Sequence, residues 1–314
     1  MKLFSPPKRR RKIPQVLCGV LLMVLCGVFG YSCCAHRNLV KEIAAADRDP
    51  LTGVIRGAEA VTLAPQTADP RTSGTAVLMI HGFVAARSDF ADMGERLARR
   101  GFTVRLMRLP GHGTIPPDFE FLPDGALFQA VHQEYLKLRA GHRRVCVVGF
   151  SMGGALATLL ASVEPVDRLV LAAPYFGVSY KWYYVLPAET WNTVIGWAVT
   201  YVSKPKDFAQ INDRSQVRKF FRYQTVPTGG VRQIIDLGRE ARKPGTLRKI
   251  VCPVLLLHSK GDAAASPKAA RKAFEQLGAP RKEAVWFKKS NHILFWDYDR
   301  DEVKRRVEEF LLSH

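Results

Sequence analysis

The chain has 314 residues, 47% of them hydrophobic and 24% charged, with 24 glycines, 19 prolines and six cysteines. That composition excludes a disordered chain, a collagen and a disulfide-built miniprotein, and the length suits one large α/β domain or two modest ones. Basic residues outnumber acidic ones by 19; seven of the 47 basic residues and none of the 28 acidic ones lie in the first 40 positions, so the remaining 40 against 28 still leave an excess of 12. An excess of this kind favours anionic surfaces such as lipid headgroups or nucleic acid. The arginines are scattered and no nucleic-acid module signature occurs, so no nucleic-acid partner is expected.

Lys8-Arg9-Arg10-Arg11-Lys12 precedes an uncharged stretch of 23 residues from Ile13 to Ala35, densest from Val16 to Phe29. About 20 apolar residues suffice for a helix to cross the hydrocarbon core of a bilayer. Five positive charges before the stretch, against Arg37 and Lys41 soon after, place the N-terminus in the cytoplasm and the rest of the chain on the far side. An uncleaved anchor, a cleaved secretory signal and lipoprotein processing at Cys33 or Cys34 all fit. Gly30-Tyr31-Ser32-Cys33 is a weak lipobox, because Gly30 stands where an aliphatic residue is expected. Membrane attachment is the favoured reading. Four of the cysteines, Cys18, Cys26, Cys33 and Cys34, lie in this segment, where they serve as small apolar residues or lipid acceptors. Cys146 and Cys252 are far apart and read as buried and inert, with no zinc spacing and no disulfide framework.

Asn38 to Gly74 is rich in turn signals and reads as a linker with one short strand around Ala60 to Leu63. A regular rhythm begins at Thr75. Ala76 to Ile80 is a continuous apolar run, the mark of a strand buried on both faces. Ser88 is placed to cap a helix running to Arg100, with Gly101 as its stop. Phe102 to Leu106 predicts a strand, Ala126 to Arg139 a helix, Val145 to Val148 a strand, Gly154 to Val163 a helix and Leu169 to Ala172 a strand. This alternation means a parallel sheet wrapped by helices. It stops over Tyr175 to Lys249, which is dense in aromatics, including Tyr180, Trp182, Trp191 and Trp197, and shows no clear strand. A helical subdomain core explains such density as well as binding does, but the position suggests an inserted cap. The rhythm resumes with Val254 to Leu257 (strand), Pro267 to Leu277 (helix), Ala284 to Phe287 (strand) and Asp301 to Leu312 (helix).

Gly149-Phe150-Ser151-Met152-Gly153 fits G-x-S-x-G, the nucleophile elbow, between an apolar strand and an Ala-rich helix as the motif demands. A serine hydroxyl needs a base, and the base needs an orienting carboxylate. Behind this elbow the acid precedes the histidine in the chain. His292, in Ser290-Asn291-His292, follows an apolar strand, whereas the other histidine far downstream, His314, is terminal. Among Asp167, Asp207, Asp213, Asp236 and Asp262, only Asp262 comes directly after a strong buried strand. Ser151, Asp262 and His292 are therefore the expected catalytic residues. The oxyanion needs two aimed N–H donors; Met152, opening the helix after the nucleophile, and Phe83, in the loop after the first buried strand, are the candidates. His81 and His112 are expected to make structural hydrogen bonds.

His81-Gly82-Phe83, Leu109-Pro110-Gly111-His112-Gly113, Gly149 to Gly154, Gly261-Asp262 and Ser290-Asn291-His292 together resemble an α/β-hydrolase. The resemblance is to the bacterial carboxylesterase and monoacylglycerol-lipase group, also placed with serine aminopeptidase-like hydrolases, and covers Thr75 to the C-terminus. It implies a mostly parallel sheet with helices on both faces and a helical cap between the sixth and seventh strands, matching Tyr175 to Lys249. It implies Ser151 as nucleophile, Asp262 and His292 as the rest of the triad, and Phe83 and Met152 as the oxyanion hole. Ala263-Ala264-Ala265 departs from the more usual polar or β-branched residues after the acid, which puts the bracing of His292 in question. The basic leader and apolar segment are extra to the soluble members.

The expected organisation is a leader and anchor over residues 1–36, a linker over 37–74 and a catalytic domain over 75–314 with its cap at about 175–249. The expected function is a membrane-associated serine hydrolase that cleaves carboxylic esters through an acyl-enzyme at Ser151, on an ester or lipid substrate, with no metal or organic cofactor. Amide or peptide hydrolysis and acyl transfer share the same acyl-enzyme step. A catalytically dead binding protein is the reading from another class, and the intact Ser, Asp and His count against it.

Overall fold

A computed structural model describes residues 13–179, 196, 198–205 and 209–313, with side chains from residue 17 onward. The basic leader, Tyr180, Trp182, Trp191, Trp197, Asp207 and His314 lie outside the described residues.

The first element, α1 (Ile13–Ala45), is one helix of 33 residues. It runs on past Ala35 through Arg37, Lys41 and Glu42, residues with good helix propensity, so the expected linker is helical in its first part. The helix has two environments. Leu17, Leu21, Leu22, Met23, Leu25 and Phe29 are exposed, whereas Ala35 and Leu39 are buried against the rest of the protein.

Among the described residues, seven strands form the main sheet, in the order β1-β3-β2-β4-β5-β8-β9. These are β1 (Val61–Leu63), β2 (Thr75–Ile80), β3 (Thr103–Leu106), β4 (Arg144–Phe150), β5 (Arg168–Ala172), β8 (Val254–Ser259) and β9 (Lys282–Phe287). The short strand expected near Ala60 is the antiparallel edge, pairing Val61 with Leu106, and all other pairs are parallel. The apolar run of β2 is buried at every position because both sheet faces are covered. After the short α3 (Pro116–Glu120) come α4 (Ala126–Gly141) and α5 (Met152–Ala161), which pack with Ala76, Leu78 and Ile80 on one face. Val77 and Met79 pack with α2 (Met93–Arg99) and α9 (Arg300–Leu312) on the other. The period-2 alternation thus splits one apolar run between two cores, each buried large side chain contributing about 1.5–3 kcal/mol of hydrophobic stabilisation.

Ser88 does not cap a long helix. It sits in a 3₁₀ turn, Arg87–Phe90, ahead of α2, and its Oγ accepts the Phe221 N–H (3.0 Å) while its carbonyl accepts the Trp296 indole N–H (2.7 Å). These tertiary bonds outweigh the local capping pattern.

The insertion between β5 and β8 falls between the fifth and sixth strands of this sheet. It contains strands invisible to hydropathy reading: β6 (Tyr201–Ser203) pairs antiparallel with β7 (Thr225–Pro227). It also contains α6 (Thr228–Ala241) and α7 (Pro244–Arg248), whose Ile234, Ala241 and Leu247 join the sheet's core. The part of the insertion that stands off the sheet therefore ends near Pro227, short of Lys249. α8 (Pro267–Glu275) completes the helical layer, capped by Ser266 Oγ on the Ala269 N–H.

Candidate active site

The parallel registers align the carboxyl ends of the strands, where open α/β sheets bind ligands. Ile80 pairs with Gly149, Phe150 with Ala172, Ala172 with Leu257, and Ser259 with Phe287. Four loops consequently emerge side by side: residues 81–86, Ser151, Asp262 and Ser290 to His292.

Ser151 occupies the turn from β4 into α5 with φ +54° and ψ −117°, a region that non-glycine residues rarely adopt. The turn closes because its glycines carry no side chain. A Cβ on Gly149 would overlap the Gly153 carbonyl, and one on Gly153 would overlap the Ile80 carbonyl. The elbow is thus pressed against β2 as tightly as backbone allows.

His292 Nε2 lies 2.9 Å from Ser151 Oγ, and its Nδ1 lies 2.8 Å from Asp262 Oδ2. All three residues are buried. The other Asp262 oxygen, Oδ1, accepts the N–H groups of Ala264 and Ala265, both at 2.8 Å. The Ala263-Ala264-Ala265 departure therefore leaves the carboxylate braced, because backbone and not side chains do the bracing. Burial is the largest influence on Asp262 and pushes its pKa up; His292 and these N–H groups outweigh it, and the carboxyl sits below its usual range.

Met152 is the first residue of α5, so its N–H has no partner within the helix. Met152 and Phe83 both line a cavity of about 170 Å³ over Ser151, with Tyr175, Lys204, Arg222 and Tyr223. Among the described residues, no three His, Cys, Asp or Glu side chains gather as a metal site.

Several supporting residues were not singled out from sequence. Asn291 Oδ1 accepts the N–H groups of Ala263 and His292, joining the acid loop to the base loop. Asp297, fully buried, accepts N–H groups from Asn212, Asp213, Asn291 and Tyr298. It ties the His292 loop to residues 212 and 213 within the insertion. Asp89, also fully buried, accepts the Gly82 N–H at 2.8 Å and pairs with Arg222 at 2.6 Å. Arg222 donates further to the Phe83 carbonyl (3.3 Å), and the Tyr223 N–H donates to Val84 (3.0 Å). This clamp holds the 82–84 loop, and its partners lie more than 130 residues apart, beyond any spacing rule. Arg222→Met would leave Asp89 buried and unpaired, at a cost of about 3–5 kcal/mol. A urea unfolding midpoint should drop accordingly, with Arg222→Lys recovering part of it; an unchanged midpoint in Arg222→Met would show that the clamp carries no energy.

His81 uses both ring nitrogens on backbone, Nδ1 with the Gly82 carbonyl and Nε2 with the Leu109 N–H. His112 bonds through Nδ1 to the Pro110 carbonyl. Neither belongs to the Ser151 relay. Burial pushes His81 well below its ordinary pKa, lowers His258, and lowers His112 from 6.5 to about 4. Unfolding frees such histidines to take protons, so their stabilisation is complete above pH 6.5 and is lost as pH falls toward 4, by about 3 kcal/mol for His112 alone. Urea midpoints should decline across that window, and a flat profile would contradict the burial argument. The two lone cysteines separate: Cys146 is buried and its thiol is pushed up to about 12, whereas Cys252 is only half-buried, with burial pushing it to about 11.

Residues 72–299 match the family described as serine aminopeptidase, S33. The chain belongs to that hydrolase family. It is 29% identical over 240 residues to a thermostable monoacylglycerol lipase of Bacillus sp. (strain H-257), covering 76% of this chain and 90% of that protein. It is 24% identical over 238 residues to a carboxylesterase of Bacillus subtilis (strain 168), covering 75% and 92%. Among solved structures, one described under the metagenome-derived lipolytic enzymes LipS and LipT superposes with a TM-score of 0.72 at 23% identity, covering 83% of this chain and 100% of that chain. The Paleococcus ferrophilus monoacylglycerol lipase superposes at 0.68 and 20%, covering 81% and 98%. The fold is that of the α/β-hydrolases, and this chain is an enzyme of that type.

Proposed function

We propose that the protein is a membrane-attached serine hydrolase that cleaves carboxylic esters, of the carboxylesterase or monoacylglycerol-lipase kind, through an acyl-enzyme at Ser151. The observation that carries this reading is the buried relay from Ser151 Oγ through His292 to Asp262, set on a strained elbow at the strand ends. In the proposed cycle His292 Nε2 takes the hydroxyl proton as Ser151 Oγ attacks the ester carbonyl. Asp262 stabilises the imidazolium, and the N–H groups of Phe83 and Met152 receive the oxyanion. His292 then protonates the departing alcohol. A water, deprotonated by the same imidazole, releases the acid. The names of the relatives support ester substrates with an acyl chain.

Attachment is assigned to the first half of α1. Ile13 to Tyr31 is 19 residues, about 28 Å of helix, close to the roughly 30 Å of a hydrocarbon core. From Ser32 on, the helix lies against protein, Ser32 Oγ donating to the Ala198 carbonyl at 3.2 Å. The basic leader before it supports an extracytoplasmic catalytic domain.

Turnover of a chain-length series of chromogenic esters beside matched amides tests the chemistry. Ester turnover with a chain-length optimum is expected; amide cleavage at equal or higher rates would replace the ester reading by the peptidase one. Fractionation with protease added outside the cytoplasm tests attachment, and a soluble, protease-protected protein would refute it.

A further inference from the structure

The last third of α1 helps to build a second cavity. Glu42 accepts the N–H groups of Gln224 (2.7 Å) and Thr225 (2.8 Å), docking the helix on the chain that leads into β7. Beside these bonds the helix end, the loop around Ile115 and the β6/β7 hairpin enclose about 730 Å³, walled by Lys41, Ile43, Ile115, Ser203 and Phe221 among others. A space of that size suits a drug-sized organic ligand. Lys204, Arg222 and Tyr223 line both this space and the smaller one over Ser151, so the two meet at those side chains. The α1 wall lies before residue 72, outside the residues that match the family.

The charges at the junction are unequal. Arg222 is paired with Asp89, and both oxygens of Glu42 are taken by backbone N–H groups. Lys204 is half-buried and has no ion-pair partner among the described residues. Burial, with the like charge of Arg222, lowers its pKa to about 8 against the pull of Glu42. An ammonium half-buried beside Arg222, with Glu42 not in ion-pair contact, is costly to keep charged, and an anion bound beside it would offset that cost. The apolar parts of the wall and the exposed apolar half of α1 point to an amphiphile, not a small ion.

We infer that the cavity under α1 receives the phosphate-bearing end of a monoacyl lipid at Lys204 while the lipid's ester carbonyl reaches Ser151. The inference rests on the ester-hydrolase reading of that site. Its test uses purified full-length protein and two oleoyl esters that differ in charge, lysophosphatidic acid and monooleoylglycerol. Lys204→Met should cut kcat/KM for lysophosphatidic acid by roughly tenfold or more, mainly through KM, because a charged hydrogen bond is lost. Monooleoylglycerol should lose at least about threefold less than lysophosphatidic acid, and Lys204→Arg should recover most of the loss. Equal losses on both esters, or none, would overturn the assignment. A binding titration keeps it distinct from the ester reading, since it needs no turnover. Dodecyl phosphate should bind wild type at least about tenfold more tightly than uncharged dodecyl glycerol ether or inorganic phosphate, and Lys204→Met should abolish the difference. Ether binding as tight as dodecyl phosphate would mean an apolar cavity only. Inorganic phosphate binding equally tightly would mean an anion site without lipid. Either result overturns the inference, while absence of ester turnover beside intact dodecyl phosphate binding would overturn only the proposed function.

Discussion

Ser151→Ala is expected to abolish covalent labelling by an organophosphorus ester probe and to lower ester turnover by roughly 10³-fold or more. In the proposed mechanism the hydroxyl is the group of the relay that attacks the substrate carbonyl. Removing it leaves the oxyanion donors and binding, which together sustain only residual catalysis over water. The protein should stay folded, because the elbow is held by backbone. The Ser151 N–H donates to the Ala172 carbonyl at 3.0 Å, and the Ser151 carbonyl accepts from Gly154, Ala155 and Tyr175. Alanine at φ +54° carries the same strain as serine, so the unfolding midpoint should move little while activity collapses. His292→Ala should be nearly as damaging, since no other base stands within hydrogen-bond reach of Oγ among the described residues. Full ester hydrolysis by Ser151→Ala would mean that the nucleophile is wrong and that the mechanism built on it fails.

The three residues of the relay were readable from sequence for a physical reason. An elbow needs glycine where backbone meets backbone, and buried parallel strands leave apolar runs that mark where each loop begins. Gly149, Gly153 and the runs of β4, β8 and β9 carry those constraints locally. What holds the relay in place is not local. Asp89 meets Arg222 across 133 positions, and Asp297 meets Asn212 across 85. Such polar pairs have no period and no spacing. The strands β6 and β7 are three residues each, too short to alternate visibly, and Pro227 ends one of them. The break in hydropathy at Arg37 is no break in structure, and α1 runs on to Ala45. Lysine, arginine and glutamate continue a helix well, and here they mark the passage from an exposed apolar half to one packed on protein.

The asymmetry of the Asp262 carboxylate sets the second large effect. Oδ1 accepts two backbone N–H groups, from Ala264 and Ala265, while Oδ2 faces His292 Nδ1. In Asp262→Asn the amide must place its oxygen where those two donors point, because an NH₂ group there would meet two N–H groups head-on. The NH₂ then occupies the Oδ2 position and donates to His292 Nδ1. That fixes the imidazole with its proton on Nε2, the nitrogen that must accept from Ser151 Oγ. From sequence alone Asp262→Asn is expected to lose less than the serine or histidine variants, since geometry is kept. The bonding around Oδ1 raises the expectation to a loss of about 10⁴-fold in kcat, the scale known for a triad locked in the wrong tautomer. Substrate binding should be largely spared, so KM should change far less than kcat. Raising the pH should restore part of the rate as hydroxide takes over the role of the blocked base, and no other aspartate after Ser151 should show this behaviour. An Asp262→Asn protein that keeps a tenth or more of wild-type kcat would show that His292 needs no partner on Nδ1, and the relay would reduce to a dyad of Ser151 and His292.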